Sequence, residues 1–114
     1  MKKQIIAISL GLMSIGMFAQ KKELRTIDKA IDKEDFKTAK EGIAALESNE
    51  SAIEEKYEAW YYYLKGSAYG KSNVEKAVEA YDKLFEIEKE SGKSKYTNEA
   101  KPKLNELIQF VSNK

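Results

Sequence analysis

The stretch from residue 52 to residue 70 constrains the fold more than any other. Wound as an α-helix, at about 100° per residue, it places Ile53, Tyr57, Trp60, Tyr61, Leu64 and Ala68 on one side. Ala59, Tyr62, Gly66 and Tyr69 fall on nearly the opposite side. Glu54, Glu58 and Lys65 separate the two stripes along one edge, and Lys56, Tyr63 and Ser67 along the other. A helix with one apolar stripe packs on one neighbour. A helix with two stripes must lie between two neighbours, so the rest of the chain is expected to supply helical partners on both sides.

The remaining sequence reads as those partners. One Pro and six Gly leave little for the turns of a many-stranded β fold, and 114 residues fit one small domain. Leu24, Ile27 and Ile31 recur at helical spacing and predict a short first helix, closed by a turn over 32–35. Phe36, Ala39, Ile43 and Leu46 predict a second helix over 36–47, weakened at Gly42 by up to about 1 kcal/mol relative to Ala. Ser51 and Glu54 have the spacing of a capping box and set the start of the third helix at 52. Lys71, Ser72 and Asn73 form a turn into a fourth helix over 74–90, with Gly92 free to take a left-handed cap. A fifth helix is expected over about 103–112, with Pro102 in its first turn. Leu104, Leu107, Ile108 and Val111 would form its buried stripe, with Asn105, Glu106 and Gln109 facing away and Phe110 off the stripe.

The chain also repeats itself. Leu24 and Tyr62, Ile31 and Tyr69, Phe36 and Val74, Ala39 and Ala77, Ile43 and Tyr81, and Leu46 and Leu84 are all 38 residues apart. A fixed period across helix–turn–helix units marks a stack of hairpins, each covering apolar surface of the next. The run Tyr62-x-x-Lys65-Gly66-x-x-Tyr69, followed by Ala77-x-x-x-Tyr81, resembles the tetratricopeptide repeat. The first hairpin keeps Phe36, Ala39 and Ile43 but has Asp28 where Gly66 would fall. Lys65 stands where the family usually has Leu, and no Pro closes either repeat. The resemblance spans about residues 22–90. It implies an all-α fold, a short right-handed solenoid of antiparallel helix hairpins. Repeat 1 would cover about 22–48 and repeat 2 about 52–90, followed by the C-terminal helix. Ala39, Gly66, Tyr69, Ala77 and Tyr81 would be the structural repeat positions.

In that family the inner helices line a concave groove. The resemblance therefore places Trp60, Tyr63 and Ser67 in the groove from the second repeat, and Lys22, Arg25 and Lys29 from the first. The implied groove has a basic end and an aromatic end. Members that clamp C-terminal carboxylates use Asn and Lys on these helices, and neither inner helix here carries Asn.

The chemistry of the chain points to binding rather than catalysis. With no Cys and no His, disulfides, thiolate metal sites, Cys nucleophiles and the commonest general base are all missing. No metal-ligand spacing, phosphate-cradling Gly loop or nucleophile elbow occurs, so neither an enzyme nor a cofactor is expected. The 20 basic and 19 acidic residues nearly cancel, which disfavours nucleic acid as a partner. Residues 1–19 read as a secretory signal peptide: Lys2 and Lys3, then an apolar run from Ile5 to Ile15, then Ala19 before a charged chain. That run is shorter than the roughly 20 residues of a membrane span. Cleavage after Ala19 removes two lysines and no acid, and would deliver a periplasmic or secreted domain with no further hold on the membrane. The expected function is an exported interaction module binding a peptide or partner protein. The alternatives are a glycan-binding protein using the groove aromatics, or the N-terminal module of a larger secreted protein. Helical solenoids need about three repeats, so the edge from Leu107 to Phe110 is expected to be covered by self-association or by further repeats.

Overall fold

A computed structural model describes residues 20–113; the expected signal peptide lies outside the described residues. Those residues are helical throughout, apart from short connections. The first helix, α1, is described over 20–32. It is followed by α2 (Phe36–Glu47), α3 (Glu55–Tyr69), α4 (Val74–Ser91) and α5 (Lys95–Ser112). Single turns of 3-10 helix, Glu50–Ala52 and Gly70–Asn73, lead into α3 and α4.

α3 separates two apolar clusters, as its two stripes require. On one side Tyr61, Leu64 and Ala68 pack with Leu24, Ile27 and Ala30 of α1, Ala39 and Ile43 of α2, and Ile53. On the other, Ala77, Tyr81 and Leu84 of α4 join Ala100 and Leu107 of α5, with Ala59 of α3 packed against them, while Tyr62, Tyr63 and Tyr69 touch both clusters. Gly66 marks the close approach of α3 to α4. A Cβ there would lie 2.5 Å from Cε1 of the Tyr81 ring. Gly42 does the same work for α1 and α2, since its Cβ would meet Ile27 Cγ1 at 2.6 Å. It is thus a packing site as well as a weak point in helix propensity.

Local structure repeats in two places: the side-chain caps of α2 and α4 lie 38 residues apart, and, outside that period, α1 and α4 share a C-terminal motif. Asp35 caps α2 by accepting from the Thr38 N–H at 3.3 Å, and Asn73 caps α4 by accepting from the Lys76 N–H at 3.2 Å. Both α1 and α4 end in the same hydrogen-bonded motif, in which the chain turns through a left-handed residue. At α4 that residue is Gly92 (φ 72°), with Lys93 N–H bonded to the Glu88 carbonyl. At α1 it is Glu34 (φ 60°), with Asp35 N–H bonded to the Ala30 carbonyl.

Two helix starts differ from the sequence expectation, and at each the cap comes from another helix. α3 begins at Glu55 rather than 52, and Ser51 lies exposed in the 3-10 turn, so the capping box does not form. Gln20 serves instead: its Nε2 donates to the Ala52 carbonyl at 2.7 Å, and its Oε1 accepts from the Glu54 N–H at 3.0 Å. α5 begins at Lys95, eight residues before the expected start. The buried Glu88 carboxylate of α4 (2% exposed) accepts from the N–H groups of Thr97 at 2.7 Å and Tyr96 at 3.2 Å. Negative charge at a helix N-terminus is stabilising. Pro102 therefore lies inside α5, on an exposed face where the Asn98 carbonyl it leaves without a helical donor can meet water.

The earlier start also changes which residues of α5 are buried. Ala100 and Leu107 are buried, and Tyr96 and Leu104 pack beside them. Ile108 and Val111, expected in the stripe, are 53% and 49% exposed. Phe110, expected to lie apart, packs by the α3–α4 turn, with Lys71 Nζ 5.4 Å from its ring centroid. Asn105, Glu106 and Gln109 are exposed as expected.

Lys65 is the centre of a polar network between α3 and the chain before it. Its Nζ lies 3.1 Å from Glu47 Oε2 and 2.5 Å from Glu50 Oε2. The Tyr61 hydroxyl donates to Glu50 at 2.5 Å, and the Tyr69 hydroxyl to Glu47 at 2.9 Å. An apolar residue at this position could not join these two carboxylates.

Candidate binding site

The helix pattern brings α1, α3 and α5 to one side of the molecule, where a cavity of about 470 Å³ opens. α3 contributes Trp60 and Tyr63, one turn apart. α1 contributes Asp28 and Asp32, also one turn apart, and α5 contributes Lys95, Tyr96 and Glu99. Trp60 is fixed from two directions. Its Nε1 donates to Asp28 Oδ2 at 3.3 Å, and Tyr57 meets its ring edge-on at 6.2 Å. Tyr63 lies against Tyr96, with ring centroids 5.5 Å apart and planes tilted by 34°. Lys95 Nζ lies 5.1 Å from the Tyr96 centroid.

The electrostatics are those of an acidic pocket walled by rings. Burial, and next the Glu99 carboxylate, push the Tyr63 hydroxyl up to about 12. The Tyr96 hydroxyl is also raised, by burial first; Lys95 opposes the rise, while Asp28 and Glu99 add to it. Negative charge from α1 and α5 therefore converges on the same rings. Asp32 and Glu99 are exposed at the mouth, whereas Asp28 is half-buried behind them. Among the described residues no group of acidic side chains could hold a metal ion.

The expected site residues separate in space. Trp60 and Tyr63 share this cavity, and Tyr63 is half-buried between the helices rather than a free groove residue. Ser67 belongs to a second cavity of about 490 Å³. There its hydroxyl is hydrogen-bonded to that of Tyr81 at 3.1 Å. Lys22, Arg25 and Lys29 are exposed and line neither cavity. The α1 residues that line the cavity are the acidic Asp28 and Asp32. At about 100° per residue, Arg25 and Lys29 sit roughly 60–100° further round α1 than Asp28. The side of α1 beside the core turns Asp28 and Asp32 to the cavity instead.

Asp28, Asp32, Lys95, Tyr96 and Glu99 were not among the expected site residues. The four-residue spacing of Asp28 and Asp32 was a readable signal. Tyr96 and Ala100 also share a helical face with Leu104 and Leu107, which extends the period of α5 back past Pro102. Among the described residues no helix is long and apolar enough to cross a membrane. No family model, no curated protein and no solved structure matches this chain.

Proposed function

We propose that the chain is an exported interaction module, a short right-handed solenoid of tetratricopeptide-like hairpins that binds a peptide or partner protein. The observation that carries this reading is the ring-walled cavity formed by α1, α3 and α5. In a stack of hairpins these alternate helices are the inner ones, and ligands meet the inner face. The matching caps Asp35 and Asn73, set one sequence period apart, and the place of α3 between two apolar clusters support the hairpin repeat. A few buried aromatic anchors in a pocket commonly supply most of the affinity of such a surface.

The test is selection of displayed random peptides on the full chain, followed by fluorescence titration of Trp60, the single Trp. Selected peptides should change Trp60 emission and lose affinity for a Tyr96→Ala variant. Peptides that bind this variant and the parent equally would place the binding surface elsewhere and overturn the reading.

A further inference from the structure

We propose that the α1–α3–α5 pocket takes a cationic side chain, an arginine or lysine, of the bound peptide. The inference rests on the peptide-binding reading and specifies its ligand. Three carboxylates, Asp28, Asp32 and Glu99, line the cavity against one ammonium, that of Lys95. They reach it from two different helices, so the negative charge surrounds the opening rather than forming one stripe. The walls are the rings of Trp60, Tyr63 and Tyr96, whose faces attract cations. The chain's own Lys95 ammonium already lies over one of these rings, at 5.1 Å. The rings thus accept a cation in this geometry, and the three carboxylates of the lining outnumber its one ammonium, which leaves negative charge for a second cation.

Competing ligands fit less well. An anionic side chain would face three carboxylates. The carboxylates do not form a metal-binding group, so an organic cation with a long stem suits the cavity better than a bare ion. A sugar ring needs a flat, open aromatic platform. Here Trp60 is half-buried and tied to Asp28, while Tyr63 and Tyr96 are tilted against each other.

The experiment uses the peptides selected on the full chain. Arginine or lysine should recur at one position of the selected sequences. Replacing it with citrulline or Nε-acetyl-lysine, which keep the stem and remove the charge, should weaken binding about tenfold. The paired variant Asp32→Asn with Glu99→Gln alters two exposed side chains. It should weaken the parent peptide by a similar factor, leave the neutral analogue unaffected and keep the melting temperature. Selected peptides with no basic position, or with equal affinity after neutralisation, would overturn the inference and leave the peptide-binding reading standing. Failure to select any peptide, with an oligosaccharide shifting Trp60 emission instead, would overturn both. A free diamine that binds as tightly as the peptide would overturn the assignment to a protein side chain.

Discussion

Gly66→Ala tests the packing of α3 on α4 with a single methyl group. In an unhindered helix interior this change stabilises, by about 1 kcal/mol. Here the new Cβ would lie 2.5, 2.6 and 2.8 Å from Cε1, Cδ1 and Cζ of Tyr81. Carbon atoms in contact prefer about 3.5–4.0 Å, so ring and helix must separate by about 1 Å. The ring has little freedom to turn aside: Tyr81 is 1% exposed and its hydroxyl is bonded to Ser67. Overpacking of this kind costs about 1–3 kcal/mol. With the ring held at both ends the upper part of that range applies. After the gain in helix propensity, a net loss of about 1–2 kcal/mol is expected. For a domain of this size that lowers the melting temperature by about 4–16 °C, readable by far-UV circular dichroism. The clash can be isolated by repeating the change in a Tyr81→Leu background, where Gly66→Ala should no longer destabilise. A melting temperature for Gly66→Ala equal to or above that of the parent would refute the close-approach argument.

Glu34→Gly should raise the urea midpoint, by up to about 1 kcal/mol in stability, because a left-handed residue other than Gly is strained and Glu34 takes the position that Gly92 takes at the end of α4; a lowered midpoint would show that the Glu34 side chain matters more than its backbone. Burial pushes the Glu50 carboxyl up, but the bonds from Lys65 and Tyr61 and the Lys65 charge outweigh it and hold the group below its ordinary 4.5. The stability this confers is present above that value and is lost as pH falls through the lower folded value. The group is half-buried, its side chain still 31% exposed, so solvent screening should hold the loss to about 1 kcal/mol. Denaturation at several pH values should show a shallower acid loss in Lys65→Met than in the parent, and equal slopes would remove Lys65 as the cause.

What could be read from the sequence was what neighbouring residues decide. α2 was legible to the residue because Asp35 supplies its own cap and Ala39 and Ile43 keep the helical period. α4 was legible for the same reason, through Asn73 and Gly92. The two-sided role of α3 followed from its stripes. The starts of α3 and α5 were not legible, because Gln20 and Glu88 reach them from other helices. Pro102 added a false boundary, since a proline at an exposed position can sit within a helix. The candidate site divides in the same way. Two of its three rings, Trp60 and Tyr63, lie on one helix and could be read; the third, Tyr96, lies on α5. Its acidic half depends on which side of α1 meets the core and on the true start of α5. Neither is a local property, so the 38-residue offset pointed to Arg25 and Lys29 instead.

The capping of α5 by Glu88 makes the last helix dependent on the one before it. The first turn of α5 has no side-chain cap of its own at Ser94, so its Tyr96 and Thr97 amides are held by a group that is in place only when α4 is folded. α5 and the cavity wall it carries should therefore open and close as one cooperative unit. In native-state hydrogen exchange the Tyr96 and Thr97 amides would share one opening energy with the core of α5, below that of α3. Tyr96 and Glu99 lie on this unit and Trp60 on the more stable one, so the cavity would be a joint between two levels of stability, and a ligand held across it would slow the exchange of α5.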